Sequence, residues 1–354
     1  MSDRYILDFS AISAGDQARV GGKCASLGQM TQAGVAVPPG FAVTTDAFAV
    51  MLEDHGLRAE IGRHMAGLDP DDLESIDRVA QAIRIRIRGH KLPAAVEAAI
   101  RGAYAAMGPD MPVAVRSSAT AEDMPDASFA GQQDTYLWVR GIDGVLEKVR
   151  DCWASLYTSR AVAYREKMRI VHADVLMAVG VQKMVNARAA GVAMSLDPLN
   201  GDRTRIVIDA SWGLGEMVVS GVVTPDNYTV EKVMEQIIGR VISDKHVELV
   251  GDPVLGEAVE REVEAGRRKI QCLSDAEILA VARLAKRLER QNKCPQDVEW
   301  AIDADLPEGA NLLALQSRPE TIWSQKKSDA PKKTYETGMM GIVGTLNTPM
   351  PVRR

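Results

Sequence analysis

The stretch Asp297-Val298-Glu299-Trp300-Ala301-Ile302-Asp303, a turn rich in Asp, Pro and Gly over 304–310, and Asn311-Leu312-Leu313-Ala314-Leu315-Gln316-Ser317-Arg318-Pro319 together read as a β-hairpin. With the turn centred between residues 307 and 308, Glu299 stands opposite Gln316. Period-two alternation then sets Val298, Trp300 and Ile302 on one face with Leu313, Leu315 and Ser317. The other face takes Asp297, Glu299, Leu312, Ala314, Gln316 and Arg318. Carboxylate and amide oxygens side by side suit a hard cation such as Mg²⁺, which shares its shell with phosphate oxygens and water. A neighbouring guanidinium suits the same phosphates. Taken alone, the pattern serves a solvated sheet face equally well.

Outward from the hairpin, the preceding residues 255–291 read as helical and charged, with an N-cap at Ser274 and its Glu277 three residues on. RIVIDASWGLGEMVVSGVVTPDNYTV (205–230) predicts a strand, a glycine-rich loop and a second strand. Glu216 in that loop is positioned for a ribose or a cation, or the segment is a structural turn. VLMAVGVQKMV (175–185) and AAGVAMSLDP (189–198) predict two buried strands. The Gln182-Lys183-Met184-Val185 edge offers backbone groups and the Met184 side chain to a flat base, although a plain core strand has the same sequence.

The N-terminal part alternates helix and strand signals. Gly21-Gly22-Lys23 opens a helix through Cys24, Leu27 and Met30 that closes at Gly34. Glycine allows close backbone approach, and a helix start beside an ammonium favours phosphate; a capped surface helix is the alternative. VAVPPGFAVTT (35–45) reads as a strand interrupted at Pro38-Pro39-Gly40, and 46–108 as mostly helical. IRIRIR (83–88) alternates with period two but sits among helical neighbours, and is read as helix. VAVRSSAT (113–120) is a strand ending in hydroxyls, where Arg116 and the following Ser117 and Ser118 could form an anion nest or an ordinary cap. ASFAGQQDTY (127–136) reads as a phosphate lid containing Gly131, Gln132 and Thr135, or as a simple turn before a strand. One amphipathic helix is predicted over 143–168, with Val145, Val149, Trp153, Leu156 and Val162 inward.

Composition narrows the classes. The chain has 354 residues, is 46% apolar and 25% charged, and carries a formal charge of −6. Its length suggests two to three domains or subdomains at roughly 100–200 residues each. The acidic balance gives no footprint for nucleic acid or an anionic membrane. No apolar run of spanning length and no signal-peptide pattern occur, so the expected location is the cytoplasm. Cys24, Cys152, Cys272 and Cys294 form no CxxC pair and read as reduced, inert thiols. His55, His64, His90, His172 and His246 form no HExxH and read as surface or cap residues; G-x-S-x-G, GxxxxGK[ST] and G-x-G-x-x-G are absent as well.

Taken together, GGKCASLGQM, GVAVPPGFAVTT, VAVRSSATAEDMPDASFAGQQDTYL, VQKMV, AGVAMSLDP, ASWGLGEMVVSGVVTPDNY, QDVEWAID and LQSRPET resemble the nucleotide-binding part of the phosphoenolpyruvate synthase, pyruvate phosphate dikinase and rifampin phosphotransferase family. They cover nearly all of residues 15–322 in the family's order. The resemblance implies an α/β, ATP-grasp-like fold of two subdomains gripping ATP, here expected at 1–188 and 189–324, with 325–354 a linker or tail that docks a partner. By position it implies that Lys23, Arg116 and Arg318 hold phosphates and act in catalysis. Gly131, Gln132 and Thr135 would form the phosphate loop, Gln182, Met184 and Val185 would contact adenine, and Glu216 would belong to the ATP site. Glu299 and Gln316 would bind Mg²⁺.

The family's reaction moves the β-phosphoryl group of ATP to a histidine on a swivelling domain, releasing AMP and phosphate. No histidine follows His246 here. The resemblance therefore implies an ATP-side subunit whose partner carries the phosphorylatable histidine and the acceptor site. That division of labour is similar to phenylphosphate synthase, which makes phenol the expected acceptor. The alternatives are a regulatory subunit that binds ATP without using it, and the ATP-binding piece of a pyruvate or rifampin phosphotransferase.

Overall fold

The computed structural model describes residues 4–119, 135–168, 170, 175–252 and 254–323. The chain divides into two units, Met1–Pro319 and Glu320–Arg354. Of the second, only residues 320–323 are described, where the Trp323 N–H donates to Glu320. The expected tail at 325–354, Gly131, Gln132 and His172 lie outside the described residues.

The first unit holds two antiparallel sheets. One is built from β1 (Ile6–Asp8), β2 (Gly40–Val43), β3 (Val113–Ala119), β4 (Thr135–Val139) and β5 (Met177–Lys183), in the order β1-β2-β5-β3-β4. The other follows in sequence with β6 (Ala187–Met194), β7 (Arg205–Trp212), β8 (Asp226–Glu231), β9 (Gln236–Val241), β12 (Gln296–Asp303) and β13 (Leu312–Pro319), ordered β13-β12-β6-β7-β8-β9. A separate hairpin pairs β10 (Val247–Asp252) with β11 (Glu257–Glu262). A mixed helix-and-sheet, ATP-grasp-like fold is what the sequence implied.

The helices are α1 (Gln17–Gln32), α2 (Thr45–Glu53), α3 (Leu57–Met65), α4 (Leu73–Gly89), α5 (Ala94–Met107), α6 (Ile142–Ser155), α7 (Ser159–Met168), the single turn α8 (Glu216–Val219), and α9 (Asp275–Asn292). Helices α2 to α7 cover one face of the first sheet, where Phe48, Trp153, Val113, Val115, Val179 and Val181 share a core. IRIRIR lies inside α4: Ile83 and Ile87 are buried with Ile76 and Ala80 at helical spacing, while Ile85 is 63% exposed. A strand would have turned all three isoleucines to one face.

Helices α1 and α9 share a second core with Val298, Trp300, Ile302, Ile206, Ile208 and Tyr228 of the second sheet. The start of α9 is the expected capping box: the Glu277 N–H donates to Ser274 Oγ, and the Ser274 N–H donates to Glu277 Oε2. A third apolar cluster joins the two sheets through Ala114, Met184 and Val185 from the first side and Ala190, Ala301 and Leu313 from the second.

Four expectations are corrected. The strand expected at 35–45 begins only at Gly40, because Pro38 and Pro39 cannot donate to a ladder; the Pro39 carbonyl instead accepts from the Lys183 N–H. The single helix expected over 143–168 is α6 and α7, interrupted at 156–158. Thr158 restarts it by accepting from the Ala161 N–H through its hydroxyl and from the Val162 N–H through its carbonyl. The charged segment from 255 is not helical at its start: Glu257–Glu262 is β11, whose Val259 sits opposite Val250. Finally, the hairpin β12–β13 pairs Glu299 with Gln316 as expected, but a bulge follows, so Trp300 faces Ala314 and Ala301 faces Leu313. Leu315 is the extra residue. Ala314 and Leu312 therefore join the core face with Trp300, and Leu313 goes to the face of Glu299.

Candidate functional site

On β3, Arg116 and Ser118 point away from the helical layer and toward α1. The partners of Arg116 across the ladders are Gly180 on β5 and Thr135 on β4. Thr135 thus stands beside Arg116 on one sheet face. The same face carries Gln182, which pairs with Ala114 and Gly40.

Helix α1 presses directly on these strands. Gly21 breaks the helix with φ 72 and ψ 172, and a Cβ there would lie 2.1 Å from the Ser118 carbonyl oxygen. This close approach is what the glycine permits. A helical run then starts against β3: the Cys24 N–H donates to Ser118 Oγ at 3.1 Å and Lys23 Nζ donates to the Ser117 carbonyl at 3.2 Å. The seat continues at Gly180, where a Cβ would sit 3.0 Å from Cys24 Sγ.

The second sheet meets this surface with the hairpin. Arg116 Nη2 donates to Glu299 Oε2 at 3.2 Å and to Gln316 Oε1 at 2.8 Å, while its Nη1 donates to the Leu315 carbonyl at 3.2 Å. These residues lie 183 to 200 positions apart in the chain. Arg116 Nε is buried without a partner among the described residues. A void of about 10 Å³ remains between Lys23, Arg116, Gly180, Gln182, Leu315 and Gln316. That is far below the roughly 300–1,000 Å³ of a ligand pocket, and the guanidinium bridges the two sheets at this point.

The convergence of two oxygens on one cationic nitrogen tests the metal expectation. Glu299 and Gln316 aim at a common point, and an acid plus an amide carbonyl is a donor set that fits a hard divalent cation. Among the described residues no three His, Cys, Asp or Glu side chains gather into a cage. A cation there would complete its shell with phosphate oxygens and water.

The remaining expected residues fall into place unequally. Gln182 is buried, its amide donating to the Pro38 carbonyl at 3.2 Å. Met184 and Val185 are buried in the cluster that joins the sheets, next to the half-buried Leu315. Arg318 is on the hairpin's exposed rim, 3.6 Å from Asp297 and 57% exposed. Glu216 is exposed at the first turn of α8 and meets none of Arg116, Glu299 or Gln316. Three cysteines are buried, and Cys294 is half-buried.

Two features escaped the sequence reading. The Leu315 carbonyl bonds Arg116 from within the bulge, which has no residue-type signature. Asp209 shares the sheet face of Glu299, separated from it by Val192. Burial pushes its carboxyl up, against a 2.7 Å hydrogen bond from the Asn227 amide. The signal was present in RIVID, where Ile206 and Ile208 turn into the core and leave Asp209 on the opposite face.

Comparison with known proteins fits this geometry. The family described as pyruvate phosphate dikinase, AMP/ATP-binding domain, matches residues 17–339. The chain is 43% identical to a probable phosphoenolpyruvate synthase of Staphylothermus marinus over 95% of its own length and 44% of that protein. It is 41% identical to a phosphoenolpyruvate synthase of Aeropyrum pernix, over 95% of this chain and 44% of the relative. A rifampicin phosphotransferase of Streptomyces is 41% identical over 91% of this chain and 36% of that one. The chain thus spans less than half the length of these relatives.

Proposed function

Because the chain belongs to the pyruvate phosphate dikinase AMP/ATP-binding family, we propose that it carries the ATP-side half-reaction of a phosphohistidine-mediated phosphotransferase. The observation that supports this most directly is the Arg116 guanidinium shared by Glu299, Gln316 and the Leu315 carbonyl. Phosphoryl transfer demands positioning and charge neutralisation more than covalent protein chemistry. Here the Arg116 guanidinium and the Glu299 carboxylate neutralise each other.

In the proposed open state, Arg116 leaves the hairpin oxygens for the phosphates of ATP. Lys23 approaches them from the helix start and Arg318 from the rim. Thr135, beside Arg116, donates its hydroxyl to the same group, with Gly131 and Gln132 in the phosphate loop. Gln182, Met184 and Val185 line the adenine side, and Glu216 borders the ribose. Glu299 and Gln316 hold Mg²⁺, which when bound offsets phosphate charge.

The β-phosphoryl group then passes to a histidine outside these 354 residues with AMP as the leaving group, and water takes the γ-phosphoryl group as inorganic phosphate. We place that histidine and the acceptor site on a partner subunit, with phenol as the acceptor, by the likeness to phenylphosphate synthase. A second placement, further along one longer chain, is supported by the relatives, of which this chain covers 36–44%.

The test is incubation of the chain with [β-³²P]ATP, Mg²⁺ and a separately produced histidine-bearing portion. The expected outcome is AMP release and an acid-labile label on that portion. Formation of ADP instead of AMP, or nucleotide turnover with no transferred label, would refute the reading. Acceptor assays with phenol, pyruvate and rifampicin then separate the two placements.

A further inference from the structure

A second concave site lies at the C-terminal end of α9, on the opposite side of the second sheet from Glu299. The turn between β6 and β7, the turn after β8 and the entry to β12 meet there around a cavity of about 330 Å³. Its lining carries five cations, Arg203, Lys232, Lys286, Arg290 and Lys293, against one carboxylate, Glu289. The whole chain is acidic, with a formal charge of −6, so this concentration runs against the overall balance.

The five cations divide into two kinds. Lys232 is fixed, its ammonium donating to the Ser195 carbonyl and to Glu289 Oε2 at 2.8 Å with only 13% of the side chain exposed. Lys286 is fixed likewise, by the Lys232 carbonyl at 2.8 Å and Glu235 Oε1 at 3.0 Å. The first pair consumes Glu289, and the second is closed by Glu235 from outside the lining. The side chains of Arg203, Arg290 and Lys293 have no hydrogen bond or ion pair among the described residues. Three uncompensated positive groups thus border one cavity, an arrangement whose self-repulsion an anion would relieve.

The backbone adds an independent sign. Lys293 caps α9 at φ 57 and ψ 21, the left-handed conformation in which a helix end ordinarily places glycine. A lysine there costs conformational energy, and its charge is delivered to the cavity rim. The lining has no aromatic ring, and Pro295 is its main apolar element, so nothing there would hold a base.

We propose that this cavity binds a small non-aromatic anion bearing two or more phosphoryl groups, such as a diphosphate or bisphosphate. Two arginine forks and a lysine match paired phosphoryl oxygens, and the cavity sits at the lower end of the volume range of small-ligand sites. The site is separate from the proposed nucleotide site and does not depend on it.

The test is calorimetric titration of the full chain with inorganic pyrophosphate, free of divalent metal, at about 150 mM salt, where surface charge is screened within about 8 Å. Arg290→Glu/Lys293→Glu is expected to weaken binding at least tenfold, and to do so equally in the Arg116→Ala background. Lys293→Gly, which relieves the helix cap, is expected to raise the melting temperature and still weaken pyrophosphate binding. Unchanged affinity in both Lys293 variants would overturn the proposal. So would loss of all binding in Arg116→Ala, which would assign pyrophosphate to the nucleotide site alone.

Discussion

Replacing Glu299 by Gln separates the role its carboxylate plays as the holder of Arg116 from the role proposed for it as an oxygen donor to a metal. At 3.2 Å the attraction between Arg116 and Glu299 is about 1.3 kcal/mol in water and about 5 kcal/mol at an effective dielectric of 20. With the two side chains 17% and 28% exposed, desolvation and screening leave roughly 1 kcal/mol, the upper end for measured solvent-accessible pairs. Without metal, Glu299→Gln frees Arg116 and removes a negative charge that repels the triphosphate. ATP affinity is then expected to rise about fivefold, which is 1 kcal/mol. With Mg²⁺ the sign reverses, because the site loses its one anionic donor. The loss should reach at least the roughly 10–100-fold that follows removal of a supporting contact at a metal site. Calorimetric titration with ATP in EDTA and in MgCl₂ measures both arms. A change of the same direction and size in the two buffers would refute the shared-oxygen argument.

Other substitutions test the scaffold. Lys245→Met strands Asp226, whose carboxylate is fully buried with Lys245 and also accepts from Tyr228 and the Cys272 N–H; a loss of about 3–5 kcal/mol is expected in chemical denaturation. A loss below about 1 kcal/mol would show that the pair is dispensable. Gly21→Ala forces a Cβ to 2.1 Å from the Ser118 carbonyl at a positive φ, so soluble yield and ATP binding should fall together; a stable variant that binds normally would contradict the tight seat of α1. Burial alone would raise the Glu277 carboxyl, but the Ser274 N–H, the Arg188 guanidinium and the Ser274 hydroxyl outweigh it and hold it below its ordinary 4.5. Its contribution to stability is therefore complete above pH 4.5 and is lost as pH falls through the depressed value. A Glu277→Gln variant should show a flatter acid limb in a pH series of melting temperatures, and an identical limb would count against this.

Much of the architecture was legible because burial imprints its period on the sequence. The β12–β13 register followed from alternation and turn position alone, up to the bulge. Beyond it the reading failed by one residue, since a bulge adds a residue without changing composition. The division of α6 from α7 was hidden because the apolar spacing runs on through Leu156 and Val162, both buried; only the local cap at Thr158 marks the break. β11 was missed because EAVERE, in a two-stranded ribbon, has no buried face to declare a period. Lys23, Arg116, Glu299 and Gln316 were each visible as residue types in suggestive surroundings. The pairing of Glu299 with Gln316 followed from the register; the arrival of Arg116 on that pair did not, because contacts across 183 or more positions depend on how two sheets stack and not on any local pattern.

The extra residue at Leu315 has a consequence for how the hairpin could change. Excising it would leave Glu299 opposite Gln316 and Trp300 opposite Ala314, and would restore an uninterrupted ladder. The arm would gain regularity and shed the carbonyl that Arg116 engages. At this point in the molecule a tidier sheet is a looser joint: a shortening that a stability screen would reward deprives Arg116 of one of the three acceptors that tie it to the hairpin.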